Sequence, residues 1–241
     1  RPGITIVLGG PEVSPRAQEI LERESAVDAV VRGEGEETFA RLVRHGPKDV
    51  QGVSYRAHGA IIHNPDRQPF DGIDAIPSPY INGFIDLADK SLVDVPLETT
   101  RGCRFRCGYC YYHKNFPSVR FFSLKRVEKD LARILSYKPR EVYLMDATFN
   151  ADPSRAKEIL RIFIRYNQGS QLHVELKMEL VDREMAELLY KAKAGNIEIG
   201  IQSTNLQTLR AINRAFDKRK FQRGVRLLNA YNLSYEIQLI D

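Results

Sequence analysis

Cysteine is rare in this sequence. The chain of 241 residues contains three, and all of them fall between positions 103 and 110. An odd number in one tight cluster argues against a disulfide framework and for metal ligation in a reducing compartment. We therefore expect a cytoplasmic protein whose cysteines bind metal.

Long hydrophobic runs are also missing. The longest, such as residues 4–8, have the length of one strand, whereas a membrane-spanning helix needs roughly 20 apolar residues. No signal peptide is recognisable, and the sequence opens at Arg1 rather than Met and continues almost directly into an apolar strand. These features predict a protein that neither crosses a membrane nor is secreted, and they indicate a fragment of a longer chain.

Charge of one sign is not concentrated anywhere in the sequence. The chain carries 36 Lys and Arg residues against 31 Asp and Glu residues, which gives a net charge of +5. Because the basic residues are scattered among acidic ones, a solvated basic surface is a better interpretation than a nucleic-acid site. The composition is that of a globular protein long enough to bury a sizeable core.

Two strand-helix units are predicted at the start of the chain. Apolar runs at 4–8 and 28–32 end in glycine-containing loops, and each is followed by a helical stripe of apolar residues. This spacing predicts parallel strands, as in the C-terminal part of a doubly wound, Rossmann-like domain over 1–49. Two strands are too few for such a sheet, so we expect its earlier strands to lie outside this sequence.

Residues 50–95 have the pattern of a connector. Residues 52–56 and 60–63 predict a hairpin, with Gly59 suited to a positive φ in the turn. The segment that follows has no sustained periodicity and is interrupted by prolines, which indicates an irregular path rather than a helix. These prolines are Pro65, Pro69, Pro77 and Pro79.

A regular alternation of strands and helices runs from 96 to 241. Five strands with right-handed helical crossovers predict an α/β fold, a partial (β/α)6 barrel truncated before its last strand. Residues suited to N-caps precede four of the helices, at Ser123, Asp152, Asp182 and Asn205. The predicted strands are 96–100, 141–145, 172–177, 197–202 and 234–240.

Two of these strands alternate apolar and polar residues, although a strand buried on both faces is normally apolar throughout. In 172–177, Leu, Val and Leu alternate with His173, Glu175 and Lys177, and in 197–202 three Ile residues alternate with Glu198, Gly200 and Gln202. If the apolar face meets the helices, the interior of the barrel is polar and can hold a charged ligand. The alternative is an amphipathic sheet with one solvated face.

The three cysteines form the motif C-x3-C-x2-C in a loop directly after the first barrel strand. Three thiolates on one short loop can bind three irons of a cubane, which leaves the fourth iron open for an amino acid to chelate. The alternative is a zinc site in which His113 completes a Cys3His tetrahedron, as in a zinc-stabilised, basic RNA-binding module without turnover. The position at the carboxyl end of a barrel strand, where barrel enzymes place their chemistry, favours the cluster.

The spacing of Cys103, Cys107 and Cys110, with Tyr109 before the last cysteine, resembles the signature of the radical S-adenosylmethionine (SAM) superfamily. The resemblance implies a 4Fe-4S cluster on these cysteines that cleaves SAM reductively to a 5′-deoxyadenosyl radical. It also implies a reductant such as flavodoxin or ferredoxin as a partner, and it leaves the substrate and the catalytic residues open.

The stretch 197–205, followed by Leu209 and Asn213-Arg214, resembles the fourth strand and next helix of the superfamily branch with cobalamin-binding and methylthiotransferase-type members. The segment 143–150 stands where such enzymes contact the methionine amine, although the usual glycine-rich form is absent. The cofactor-binding residues that the resemblance implies in this domain are Tyr109, Asp146, Thr148, Glu175, Glu198, Gln202 and Ser203.

The segments 9–12 and 30–36 resemble the last two strand ends of the cobalamin-binding domain that precedes the radical domain in that branch. The resemblance implies cobalamin contacts from Gly9, Gly10, Gly33 and Gly35, because glycines at strand ends let the backbone approach a large planar ligand. The ligand pattern Asp-x-His-x-x-Gly of the family does not occur. Either the pattern lies in an N-terminal part outside this sequence, or cobalamin is bound without it, or the domain binds no cobalamin. If cobalamin binds, we expect these glycines to face the cysteine loop.

Overall fold

The computed structural model describes residues 3–89, 92–116 and 118–240. The chain divides into two compact units, Arg1–Asp71 and Gly72–Asp241. No helix among the described residues is long and apolar enough to span a bilayer.

The first unit is a four-stranded sheet with two helices. Strands β1 and β2 are parallel, and β2, β3 and β4 pair antiparallel in the order β1-β2-β3-β4. The parallel pair and its helices agree with the predicted strand-helix units. The elements are β1 (Val7–Gly9), α1 (Ala17–Arg23), β2 (Ala29–Val31), α2 (Gly35–His45), β3 (Val53–Ala57) and β4 (Ala60–His63).

Two details of this unit differ from the sequence-based expectation. Strand β1 begins at Val7 rather than at residue 4, because the amide of Ile6 donates to the side chain of Asp28 instead of joining the ladder. The predicted hairpin turns at His58 and Gly59, which both have positive φ, and its first strand pairs with β2. The hairpin thus completes the sheet of the first unit.

The second unit contains a five-stranded parallel sheet in the order β11-β10-β9-β8-β5, beside a two-stranded ribbon of β6 and β7. The strands are β5 (Asp94–Leu97), β6 (Thr100–Arg101), β7 (Arg120–Phe121), β8 (Glu141–Leu144), β9 (Gln171–Leu176), β10 (Ala194–Gln202) and β11 (Glu236–Leu239). The helices are α3 (Tyr112–Asn115), α4 (Leu124–Leu135), α5 (Pro153–Tyr166), α6 (Arg183–Lys191), α7 (Leu206–Ala211) and α8 (Lys218–Ala230).

The polar alternation of β9 and β10 has the predicted consequence. Leu172, Val174 and Leu176 are buried, as are the three isoleucines of β10, against helices whose own apolar residues are buried. The polar residues of both strands therefore occupy the opposite face of the sheet, where several of them line a cavity. The predicted α/β fold with a partial barrel is confirmed.

Hydrogen bonds at the helix N-termini confirm all four predicted N-caps. Ser123 accepts from the amide of Arg126, and the caps of α5, α6 and α7 likewise accept from the first turn of their helices. The strand predicted at 96–100 lies two residues earlier at its start, which is Asp94. It ends at Leu97, and Thr100 and Arg101 turn away to pair antiparallel with Arg120 and Phe121.

Candidate functional site

A cavity of about 390 Å³ lies at the carboxyl ends of the parallel strands of the second unit. The cysteine loop contributes Tyr109 and Cys110 to its wall, and β9 and β10 contribute charged and amide side chains. The predicted site residues that line this cavity are Tyr109, Cys110, Thr148, Glu175, Glu198 and Gln202. Six of the positions predicted from separate segments of the sequence thus meet at one place.

The cysteine loop presents three free thiols, with Cys107 buried and the other two partly exposed. A turn between Cys107 and Cys110 is closed by a bond from the amide of Cys110 to the carbonyl of Cys107 (3.0 Å). Burial raises the pKa of the Cys103 thiol, while a hydrogen bond with the side chain of Thr148 opposes the shift. The loop therefore carries three sulfur donors within eight residues, and Cys110 is the one that lines the cavity.

The chemistry of the donor set fits an iron-sulfur cluster. Such clusters are held by cysteine thiolates, and a cubane takes one thiolate on each iron. Three cysteines with the spacing C-x3-C-x2-C on one loop can therefore hold three irons of a cubane. The described residues 3–89, 92–116 and 118–240 contain no group of three His, Cys, Asp or Glu side chains already arranged around one metal ion.

Asp146 lies behind the cavity wall rather than in it. Its Oδ1 accepts from the backbone amides of Thr99 and Thr100, each at 2.8 Å, and its Oδ2 accepts from the hydroxyl of Thr99. The side chain is buried, and burial raises its pKa to about 6 against the opposing effect of these hydrogen bonds. The carboxyl group of Asp146 thus fastens the chain that leads from β5 into the cysteine loop.

We expect stability to depend on the protonation of Asp146. Because the folded-state pKa of about 6 lies above the ordinary value of 3.8, the stabilisation from the bound proton is complete below about pH 4. It is lost as the pH rises through about 6, by an amount on the order of 2 to 3 kcal/mol. The variant Asp146→Asn retains Oδ1, and the hydroxyl of Thr99 can turn to accept from its amide.

The measurement is urea unfolding of both proteins at pH 4.5, 6 and 7.5. The Asp146→Asn variant should gain stability relative to the wild type as the pH rises, because all other groups titrate alike in both proteins. Asp146→Ala leaves the amides of Thr99 and Thr100 without an acceptor and should be destabilised at every pH. If the difference in the free energy of unfolding between wild type and Asp146→Asn does not change with pH, the raised pKa of Asp146 is contradicted.

A network of polar side chains forms the floor of the cavity. Tyr143 donates to Glu175 (2.7 Å) and stacks on His173, whose Nε2 lies 2.8 Å from Glu198 Oε1. Gln238 of β11 donates to the other oxygen of Glu198. Burial raises the pKa of Glu175, and the nearby Glu198 carboxylate adds to the shift. The floor therefore offers carboxylate acceptors held in place by their neighbours.

Gln202 has an unsatisfied polar atom at this cavity. The side chain is buried, and its Oε1 has no hydrogen-bond partner. The residue ends β10 at a positive φ of 69°, next to a shift in register between Gly200 and Gln202. An added Cβ at Gly200 would lie 2.7 Å from Gln202 Nε2, so glycine leaves the space that the amide occupies. A buried, unpaired amide oxygen is the feature expected where a polar ligand supplies the missing donor.

Ser203 lies outside the cavity, whereas three residues without a predicted role line it or support its wall. The hydroxyl of Ser203 accepts from the amide of Asn205 (3.1 Å), and Ser203 does not line the cavity. Lys177 and Arg214 line the cavity, and Tyr143 supports Glu175. The polar alternation of 172–177 included Lys177, but Arg214 and Tyr143 carried no spacing signal.

The four predicted glycines of the first unit also lie together. Gly9, Gly10, Gly33 and Gly35 line one cavity of about 430 Å³, whose other walls are mainly apolar. Gly10 and Gly33 have positive φ, and a Cβ added at either would meet nothing within 4 Å. The backbone at these strand ends is therefore open to close approach by a large ligand.

Comparison with known proteins matches both units to families. A model of the radical SAM superfamily matches residues 97–240, and a model of the B12 binding domain matches residues 1–43. The first match covers more than half of the chain and includes all three cysteines. It confirms the resemblance that the sequence indicated.

Individual relatives agree with these families. The chain is 27% identical to the uncharacterized methyltransferase PH0819 of Pyrococcus horikoshii, over 95% of this chain and 52% of the relative. It is 30% identical to the 2-(S-pantetheinyl)-carbapenam-3-carboxylate methyltransferase of Streptantibioticus cattleyicolor, over 88% of this chain and 34% of the relative. The chain thus spans between a third and about half of the length of these proteins.

A solved structure shares the fold. The radical SAM methyltransferase TsrM from Kitasatospora setae, with cobalamin and a [4Fe-4S] cluster bound, superposes with a TM-score of 0.75 at 16% identity. The match covers 98% of this chain and 51% of that one. The cysteine loop at the carboxyl end of β5, the polar cavity and the family match lead to one conclusion: this chain belongs to the radical SAM superfamily.

Proposed function

We propose that this chain is the core of a cobalamin-dependent radical SAM methyltransferase. The observation that carries the proposal is that Cys110 and the unpaired amide of Gln202 line the same cavity, so one space can hold the cluster and SAM side by side. When bound, the cluster and SAM supply reductive cleavage of the sulfonium bond.

The cysteine loop and the cavity floor have separate tasks in this proposal. Cys103, Cys107 and Cys110 hold the cluster, and the buried position of Cys107 limits its exposure to water. Asp146 holds the base of the loop, and Thr148 holds the thiol of Cys103. The groups assigned to SAM are Tyr109, Thr148, Glu175, Glu198 and Gln202, which all line the cavity. Asp146 acts on the site through the loop, and Ser203, predicted from the sequence, lies outside the cavity wall.

Cobalamin is assigned to the cavity of the first unit. Gly9, Gly10, Gly33 and Gly35 expose backbone there, and the apolar walls suit the face of a macrocycle. The match to the B12 binding domain and the cobalamin in TsrM support this assignment. The ligand pattern with a histidine does not occur in this sequence, so the ligand belongs to a part of the protein outside it or cobalamin is bound without a histidine ligand.

Electron supply requires a partner. We propose a flavodoxin or ferredoxin in the cytoplasm, because an enzyme of the radical SAM superfamily needs a reductant for its cluster. Nucleic acid is not part of the proposal, since the basic residues do not form a block.

The proposed function is tested on protein purified without oxygen. Iron and acid-labile sulfide should each be near four per chain, and dithionite with SAM should release 5′-deoxyadenosine. Methyl transfer is then followed with isotopically labelled SAM and added cobalamin. One zinc per chain without sulfide would overturn the proposal in favour of a zinc module.

Replacing Gln202 by leucine is expected to weaken SAM binding. Leucine removes the amide and leaves the ligand's donor unpaired, at a cost of about 1 to 3 kcal/mol, or roughly a 5- to 150-fold rise in Kd. Equilibrium titration with SAM measures the change. Gln207→Leu, the same substitution on the exposed surface of α7, is the matched control and should bind as the wild type does. Equal affinities in all three proteins would place Gln202 outside the site.

A further inference from the structure

Three consecutive residues after α7 contact the cysteine loop. The carbonyl of Ile212 accepts from the amide of Gly108 (2.7 Å), and the side-chain amide of Asn213 donates to the carbonyl of Arg106 (2.8 Å). Asn213 itself has a positive φ of 52°, which bends the chain at this point. The segment 212–214 is thus joined to the loop through backbone groups on either side of Cys107.

The third residue of this segment, Arg214, reaches the sulfur itself. Its Nη1 lies 3.5 Å from the Sγ of Cys107 and 3.5 Å from the hydroxyl of Tyr109. Its Nη2 donates to the carbonyl of Gly200, and its backbone amide donates to the carbonyl of Leu209 (2.8 Å). Because both ends of the residue are anchored, the guanidinium is held with one nitrogen directed at the thiol.

A fixed cation beside a ligand sulfur changes the chemistry of the metal group it binds. Hydrogen bonds to the sulfurs and the local charge are among the factors that set the reduction potential of an iron-sulfur cluster. A guanidinium is always protonated, so the donor is present at every working pH. One-electron reduction adds negative charge to the cluster and its thiolates, and a charge-assisted hydrogen bond therefore stabilises the reduced form more than the oxidised form.

We propose that Arg214 raises the reduction potential of the cluster by donating a hydrogen bond to Cys107, and that Ile212 and Asn213 fix the loop so that this bond forms. The inference rests on the proposed function, since it requires a cluster on Cys107. In this role Arg214 eases the transfer of one electron from the reductant to the cluster. Arg214 is thus the residue at this cavity that sets the reduction potential of the cluster.

The test is a redox titration of the cluster followed by electron paramagnetic resonance, in the absence of SAM. Arg214→Gln should lower the equilibrium constant for one-electron reduction about tenfold, equivalent to a shift of about 59 mV to more negative potential. Arg210→Gln is the matched control. It removes the same charge from the last turn of α7, on an exposed residue that does not contact Cys107, and its potential should equal that of the wild type.

The outcomes separate the two proposals. Iron and sulfide are measured first in each protein, and their absence from the wild type would refute the proposed function itself. With the cluster present in all proteins, equal potentials for wild type and Arg214→Gln would overturn the role of Arg214, as would equal shifts in Arg214→Gln and Arg210→Gln. Asn213→Gly tests whether Asn213 positions the loop. Glycine accepts the positive φ but removes the side-chain amide that donates to the carbonyl of Arg106. We therefore expect the electron paramagnetic resonance signal of the cluster to broaden or shift.

Discussion

Replacing Cys107 by alanine is expected to abolish cluster assembly while most of the fold is retained. Cys107 is the only one of the three thiols that is buried, and it lies between the other two on the loop. Two remaining thiolates hold two irons of a cubane and leave the others without protein ligands. Cys107 is one of many buried residues, and most of the others belong to the strands and helices, so we expect these elements to form without its thiol.

Iron content and visible absorption, measured beside far-ultraviolet circular dichroism, test this expectation. We expect the iron and the visible band to disappear and the far-ultraviolet spectrum to stay close to that of the wild type. Tyr111→Phe is the control on the same loop, because it changes an exposed ring next to Cys110 and removes no sulfur. Full iron content in Cys107→Ala would refute the ligand assignment.

Replacing Gly102 by alanine should have the largest effect among the glycines near the site. Gly102 has φ +97°, and an added Cβ would lie 2.3 Å from the carbonyl oxygen of Ser118. Gly102 follows β6 and Ser118 precedes β7, so relieving the overlap requires the ribbon to open beside Cys103. We expect the free energy of unfolding to fall by about 2 to 5 kcal/mol, from the backbone strain and the overlap together. We also expect poor incorporation of iron.

Gly83→Ala separates the two causes of this effect. Gly83 also has positive φ (+71°), but an added Cβ there meets nothing within 4 Å. It should cost only the backbone strain of about 1 to 2 kcal/mol and leave the iron content unchanged. Urea unfolding and iron analysis of both variants measure the difference. A Gly102→Ala protein with the stability and the iron of Gly83→Ala would contradict the predicted overlap.

The repeating part of the fold could be predicted because it is periodic. The apolar alternation of 172–177 and 197–202 predicted two strands and which of their residues are buried. The four N-caps predicted where helices start. The strand that leads into the cysteine loop begins two residues and ends three residues earlier than predicted. Its end depends on Asp146, which is remote in sequence, and no local pattern at 98–100 indicates that the amides there bind a carboxyl side chain.

The site was predictable where its residues follow strand ends and less so elsewhere. Gln202 and Glu198 follow from the alternation of one strand, and the cysteines from their spacing. Arg214 was noted only as part of a resemblance. Its contact with Cys107 arises because α7 and the bend at Asn213 return the chain to a loop 107 residues earlier. A side-chain contact across that separation has no periodic signature.

The carboxylate of Asp146 has a consequence for protein engineering. It belongs to the segment after β8, yet it binds the backbone that leads out of β5, 46 and 47 residues earlier in the chain. The cysteine loop therefore takes its starting direction from a neighbouring strand as well as from its own. A graft that moves residues 98–110 into another barrel must bring a carboxylate at the equivalent position of the adjacent strand. Without it, the transplanted loop would begin with two unpaired amides and no fixed orientation.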